Sequence, residues 1–417
     1  MAHIYAKADL TIAATKSSDA SGGCFANTGN EYMSKLVPGC NNTYVLHKLP
    51  EFPLMSSEHQ IGKSSGWPLM NRGWAYQEMR LSPRVLHFCA QEVIWVCRDA
   101  QKSESKDNDK DLTSKDGWAR ISFSHIPYGI LEKDPKYLWY RTVQEYSRLR
   151  LSKQEDKMAA LAGLAEQMQN LRPGDRYLVG LWKTLLHDLL WFLEGRYKAP
   201  KPRITRYPSW SWASSPFQVT WFSGLNKSLK CTQVEDIKLA NQGPSHMADC
   251  VEATITLRAP LLDASSLLTA CQAFRKQRAY QAFTGIGPVP GRRKLHWPFG
   301  HLYFDPFNAV ITNLDHLYVS YYASDSGSPV KDLTPAECSG YLIPLAAEND
   351  FSLGFGAIHV QRDQSSDCYR RVGWAELGHP AAPYSNNKPE LKRKSMENLA
   401  TVRRLLEDLP THRITLI

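Results

Sequence analysis

No CxxC pair occurs in this sequence of 417 residues, and its cysteines (24, 40, 89, 97, 231, 250, 271, 338 and 368) are odd in number and widely spaced. A disulfide framework needs even, closely placed pairs, and a structural zinc site needs thiols at short fixed spacings. Neither is legible, so no metal is expected. Long apolar runs are equally scarce, and no stretch approaches the roughly 20 residues a membrane span needs. The opening Met1-Ala2-His3-Ile4-Tyr5 lacks a basic leader region, and Asp9 interrupts the apolar run that follows. No secretory signal is therefore expected, and the sequons at Asn41 and Asn226 are read as chance matches in a reducing, cytoplasmic protein. Concentrated charge is missing too. Lys+Arg number 50 against Asp+Glu 41, a net +9, but the only tight basic runs are Arg292-Arg293-Lys294 and Lys392-Arg393-Lys394. Polyanion binding gathers its cations into a patch, so no nucleic-acid partner is predicted. The glycines at 22–23 and 354–356 carry no adjoining Lys-Ser/Thr and read as turns, not as phosphate cradles.

What is present is an ordinary globular composition, 43% hydrophobic and 22% charged, in a chain long enough for more than one compact unit. Asp9 to Thr15 reads as a strand or a helix end. Arg84 to Cys89 and Val93 to Cys97 read as a β-hairpin joined by Ala90-Gln91-Glu92. Ala100 to Asp116 has mixed charge and almost no apolar content, which predicts an exposed, mobile loop. Helical spacing begins near Lys136 and recurs from Glu155 to Leu171, where Arg172-Pro173-Gly174 stops it. Tyr177 to Leu193 is apolar almost all round and reads as a buried helix.

After Pro200 the period changes. Ser209 to Ser214 alternates like a strand, and further strands are expected at 234–239, 253–257, 317–322, 341–345, 357–361 and 369–377. Gly- and Pro-bearing connections between them favour a mostly antiparallel β module. An amphipathic helix is expected from Pro389 to Leu409. The predicted class is α+β, divided as 1–98, a charged linker 99–135, a helical segment 136–200, a β-rich region 201–385 and a tail 386–417.

One segment is more specific. Asn71 to Cys97 reads NRGWAYQEMRLSPRVLHFCAQEVIWVC. It resembles the last motif block of the fungal heterokaryon-incompatibility (HET) domain, with Gly73, Trp74, Gln77, Glu78, Leu81, Ser82, Arg84, Leu86 and Phe88 at the matching places. Upstream, Leu10 to Ala14, Ser17 and Ser21 to Phe25 resemble the approach to that block. Downstream, Gly180-Leu181-Trp182, Leu189-Leu190-Trp191, Pro208 to Ala213 and Tyr369 to Gly373 resemble segments common after it. The two earlier blocks of that domain are not found, so the resemblance implies an N-terminally truncated domain, related to the TIR fold, with a sheet edge left open. It also implies a role in non-self recognition and programmed cell death when unlike hyphae fuse, acting through self-association or a protein partner, with no cofactor.

Chemistry has three candidate places. On a helix starting near Gly73, Trp74 and Glu78 share a face with Gln77 beside them. Some TIR domains cleave NAD with a helical Glu, and a Trp-x-x-x-Glu spacing there is similar to Trp74 and Glu78. The alternative readings are therefore a TIR-like NAD glycohydrolase with Glu78 stabilising cationic sugar character, or an inactive truncated remnant. Against it stands a structural role, Trp74 filling the core and Glu78 pairing with Arg72 or Arg84. His87 and Cys89 alternate onto one strand face near Cys97, a place for a nucleophilic pair or for buried hairpin residues. Trp210 and Trp212 either stack on a base or sugar or seal a junction in the core.

Overall fold

A computed structural model of the chain describes residues 2–52, 67–97, 99–112, 135–183, 186–193, 201–221, 225–242, 249–265, 267–268, 318–325, 334, 336–348, 355–378, 400 and 402–417. The chain forms two compact units, Met1–Asp175 and Arg176–Ile417, dividing inside the span expected to be one helical segment.

The first unit runs α1 (Ala2–Lys7), β1 (Thr11–Ala13), β2 (Lys35–Leu36), β3 (Tyr44–Val45), α2 (Gly73–Leu81), β4 (Arg84–Phe88), β5 (Val93–Cys97), β6 (Ala100–Ser103), β7 (Lys110–Asp111), α3 (Pro135–Ser147) and α4 (Ala162–Leu171). One sheet has the order β1-β4-β5-β6-β7. β1 lies parallel to β4, with Ile12 opposite Leu86, and the remaining pairs are antiparallel. The chain between β1 and β4 passes through α2, as a parallel pair requires a crossover. β2 and β3 form a separate two-stranded hairpin.

The expected β4–β5 hairpin and the helix from Pro135 are present, while the helix expected from Glu155 is 3-10 turns at Gln154–Lys157 and Ala159–Leu161 before α4 runs from Ala162 to Leu171. The expected loop at Ala100 to Asp116 is not what residues 100–112 form, because β6 and β7 complete the sheet there. Its polar residues are the reason. Gln101 is fully buried and donates through Nε2 to the Asn108 carbonyl, while Asn108 Nδ2 donates to Glu92 Oε1 at 2.7 Å. Side-chain hydrogen bonds here take the place of apolar packing in holding the strands together.

The second unit opens where a buried helix was expected, at Tyr177 to Leu193. It forms instead a tight hairpin of β8 (Tyr177–Leu178) and β9 (Leu181–Trp182), a 3-10 turn at Leu186–Leu190, and β10 (Phe192–Leu193). Val179 and Gly180 both have positive φ, 48° and 92°, as a two-residue primed hairpin turn demands. The Asp188 carboxylate then accepts the Trp182 main-chain N–H at 2.7 Å, tying the turn back on itself. An all-apolar run signals burial, not its secondary structure.

β11 (Val219–Thr220) pairs with β10. A larger sheet follows, made of β12 (Leu225–Ser228), β13 (Gln233–Gln242), β14 (Asp249–Pro260), β15 (Leu262–Asp263), β16 (Tyr318–Ser324), β17 (Tyr341–Glu348), β18 (Phe355–Arg362), β19 (Tyr369–Gly378) and β20 (Thr411–Leu416). Its main path is β12-β17-β18-β19-β20-β14-β13, with β15 on β17 and β16 on β19, and only β19–β20 is parallel. Six strands were expected at these places, and the mostly antiparallel character holds. Residues 400 and 402–408 are helical, and Val402 and Leu406 pack with Leu342, Phe355, Ala375 and Leu377. Each such buried side chain contributes about 1.5–3 kcal/mol of transfer free energy. The rest of the helix expected from Pro389 lies outside the described residues.

Candidate functional site

The block from Gly73 to Phe88 is the seam of the first unit. Gly73 donates its N–H to the Arg150 carbonyl at 2.8 Å, and a Cβ there would meet Leu151 Cδ2 at 2.7 Å. Gly73 is thus needed for close approach. One turn on, Gln77 Oε1 accepts the N–H of Gly163 at 2.6 Å, where α2 meets α4. Tyr76, fully buried, donates to Glu145 Oε2 at 2.9 Å, and Glu145 in turn pairs with Arg141 at 2.8 Å. Ser82 caps α2 through the Glu78 carbonyl and bonds Thr11 of β1 across 2.7 Å. Arg84 donates to the Asp9 carbonyl, and the Phe88 ring meets Phe25 edge-on at 5.7 Å.

The candidate carboxylate sits on the outer face of α2. Trp74 and Glu78 are each half-buried, as the shared face predicts, but different elements cover them. Trp74 Nε1 donates to Asp156 Oδ2 at 3.3 Å. Glu78 accepts the Tyr5 hydroxyl of α1, and burial, followed by the Glu78 charge, holds that phenol above its ordinary value. Glu78 therefore meets a tyrosine, and Arg84 is engaged with the main chain at Asp9. A carboxylate beside a tyrosine can accept or return a proton. The pair needs a substrate pocket to do chemistry.

His87 and Cys89 are both buried. His87 Nδ1 bonds Thr15 Oγ1 at 2.9 Å and its ring packs on Phe52 at 4.9 Å, while the Cys89 thiol donates to the His87 carbonyl, not to its ring. Burial pushes the Cys89 thiol up to about 12, the direction of an inert structural cysteine.

In the second unit, residues 209–214 do not form the expected strand but a turn ending in a 3-10 segment at Trp212–Ser214, with Ser211 as its cap. Alternation in sequence mimics a strand, but Ser211 spends its hydroxyl on Val179 O and Ala213 N–H, which fixes a turn. Trp210 and Trp212 are fully buried, so neither offers a stacking face. Trp212 Nε1 donates to Gly180 O at 2.8 Å, and Trp191 Nε1 donates to Trp210 O at 2.9 Å.

These segments converge on Arg371, which the sequence reading includes in the Tyr369–Gly373 stretch without giving it a role. The Arg371 guanidinium, wholly buried, stacks 3.4 Å from the Trp191 ring centroid, donates to the Trp191 carbonyl and pairs with Asp325 at 3.3 Å. Arg203 pairs with the other oxygen of Asp325, and Ser209 Oγ accepts the Arg371 N–H. Strand parity gave no signal: the register of β19 shifts between the His359–Gly373 and Val360–Arg371 pairs, so Arg371 falls on the face opposite Gly373, Ala375 and Leu377. His359, also fully buried and bonded to the Ser339 carbonyl, was likewise missed.

One further feature concerns the surface. Of the twelve large apolar side chains left exposed among the described residues, nine lie between Ile4 and Leu46. Among the described residues no cluster of His, Cys, Asp and Glu can hold a metal ion, and no helix is long and apolar enough to cross a membrane. Comparison with protein-family models, with curated proteins and with solved structures finds no match to this chain. Fold and site together define an α+β protein of two units, whose first unit carries both the Gly73–Phe88 block and the exposed apolar surface.

Proposed function

We propose that this chain is a HET-type interaction module of the fungal cytoplasm, acting in non-self recognition and cell death by binding protein, not by catalysis. The observation that carries the reading is the concentration of exposed apolar side chains at Ile4, Leu10, Ile12, Phe25, Met33, Leu36, Tyr44, Val45 and Leu46. Large apolar side chains left in water along one stretch of the chain suit a surface that a partner covers. The resemblance of the Gly73–Phe88 block to the HET motif supplies the biological setting. The competing reading, NAD cleavage by Glu78, rests on the spacing to Trp74 alone.

The test is expression in a filamentous fungus, scoring death of the expressing cells for wild type, for Glu78→Ala, and for a variant carrying Met33→Ser, Leu36→Ser and Val45→Ser. The expected result is death with wild type and with Glu78→Ala, and survival with the triple variant. Nicotinamide release from NAD by the purified chain, lost in Glu78→Ala together with cell death, would replace this reading by the catalytic one.

A further inference from the structure

We infer that β1 is a dimerisation edge, and that its occupant is β1 of a second copy of this chain, paired antiparallel about Ile12. The inference rests on the interaction reading above and names the surface and the partner.

β1 stands at the end of its sheet, hydrogen-bonded to β4 on one side and to no described strand on the other. Its inner face is packed: Ala13 is buried and Thr11 bonds Ser82 beneath it. Its outer face is not. Leu10 and Ile12, two residues apart and so on the same side, are 41% and 62% exposed, and Ile4 of the preceding helix is 70% exposed. Proteins guard open edges with lysine, proline or a bulge inside the strand. The run Leu10-Thr11-Ile12-Ala13-Ala14-Thr15 has none of these residues. An unguarded apolar edge calls for a strand to cover it, by main-chain hydrogen bonds along the edge and side-chain contact across the face.

The flanking charges point to a second copy. Asp9 closes one end of the run and Lys16 the other, and no other charge lies between them. Two such strands set antiparallel bring the Asp9 end of each beside the Lys16 end of the other, whereas a parallel pairing sets like against like. A two-fold axis normal to the sheet keeps each residue on its own face, which requires a register centred on a residue. Centred on Ile12, that register sets Ile12 beside Ile12 of the second copy and Thr11 opposite Ala13 of the second copy. Asp9 then falls one residue from Lys16 of the second copy. The outer faces join into one apolar strip, and both α2 helices stay on the opposite face.

Sedimentation velocity on the full chain over a range of concentrations tests this. A dimer is expected for wild type and a monomer for Ile12→Lys, with unchanged circular dichroism and the thermal midpoint of wild type diluted until it is monomeric. Asp9→Lys, which puts like charges together, should weaken the dimer by roughly tenfold or more. The double exchange Asp9→Lys with Lys16→Asp should restore it, a recovery that nonspecific stickiness would not produce. A wild-type chain monomeric throughout, or a dimer indifferent to Ile12→Lys, overturns the inference. Failure here is separable from failure of the wider reading. Cell death that survives Ile12→Lys but is lost with the Leu36 and Val45 changes would dismiss the β1 edge and leave interaction standing.

Discussion

The second unit encloses its chemistry, and the first displays its apolar side chains. Trp182, Trp191, Trp210, Trp212 and Arg371 are all among the largest fully buried side chains, whereas Phe25 is 86% exposed and the β2–β3 hairpin leaves Leu36, Tyr44 and Val45 in solvent. Desolvating a buried arginine and its aspartate costs several kcal/mol before their attraction offsets it, so the contacts of Arg371 with Asp325 and the Trp191 carbonyl are what hold it inside. A two-stranded hairpin, by contrast, is marginal in water without something to pack on. Under the interaction reading proposed above, the second unit holds a shape and the first is the one a partner covers.

The comparison breaks most sharply at Arg371. Arg371→Met takes the guanidinium from over the Trp191 ring, leaves Asp325 with Arg203 and strips the Trp191 carbonyl of its donor. Breaking a buried pair by removing one partner costs about 3–5 kcal/mol. Hydrogen exchange followed peptide by peptide should show lost protection across 176–417 and unchanged protection in 1–175, and equal loss in both would dissolve the contrast.

Titration separates the units next, because each buries a base in its own pH window. Burial lowers His359 from 6.5 to about 4, so the folded second unit resists a proton that the unfolded chain accepts. The unfolded state then binds more protons, and stability falls as pH drops from 6.5 towards 4, by about 3 kcal/mol at most. Lys157, buried in the first unit, is lowered from 10.5 to about 7. The sign is the same but the window is higher, so the first unit gains stability as pH rises from 7 towards 10.5. Denaturation across these windows, compared with His359→Gln and Lys157→Met, should show each slope flattened by its own substitution only.

How far the sequence anticipated this molecule depends on what each residue signals locally. The Gly73–Phe88 helix and hairpin were legible because period and turn residues agreed, and so were the long strands of the second sheet. Tyr177 to Leu193 misled because burial on every side removes the period that separates helix from strand. The positive φ at Val179, rare for a β-branched residue, had no signal of its own beyond the glycine that follows it. Residues 100–112 misled in the opposite sense, since a polar segment was satisfied internally through Gln101, Asn108 and Glu92. The Arg371 centre draws on residues from Trp191 to Gly373, and no local pattern reports a contact across such separations.

That turn supplies a mid-sized test of how closely the second unit is fitted. A Cβ on Gly180 would lie 2.5 Å from Trp212 Nε1, and its φ of 92° is unfavourable for any other residue. Gly180→Ala should therefore cost about 2–3 kcal/mol, combining backbone strain with overpacking, read as a fall in the urea midpoint. A loss below about 0.5 kcal/mol, the ordinary range for an unconstrained surface position, would show that Trp212 yields easily and that the enclosure is looser than its hydrogen bond to Gly180 implies.

The smallest effect on stability belongs to the first unit, and its smallness carries the argument. Leu36 pairs with Tyr44 and Val45 with Lys35 in the hairpin, and Leu36 and Val45 are 54% and 58% exposed, so folding gains little from either. Leu36→Ser with Val45→Ser should leave stability within about 0.5 kcal/mol of wild type, while retention on a hydrophobic-interaction column falls clearly. Under the proposed interaction reading, side chains that add little to the fold yet keep apolar area in water serve what they touch outside it. If the double change instead unfolded the first unit, these residues would be core in all but exposure, and the contrast between an enclosing unit and a displaying one would fail at its weaker end.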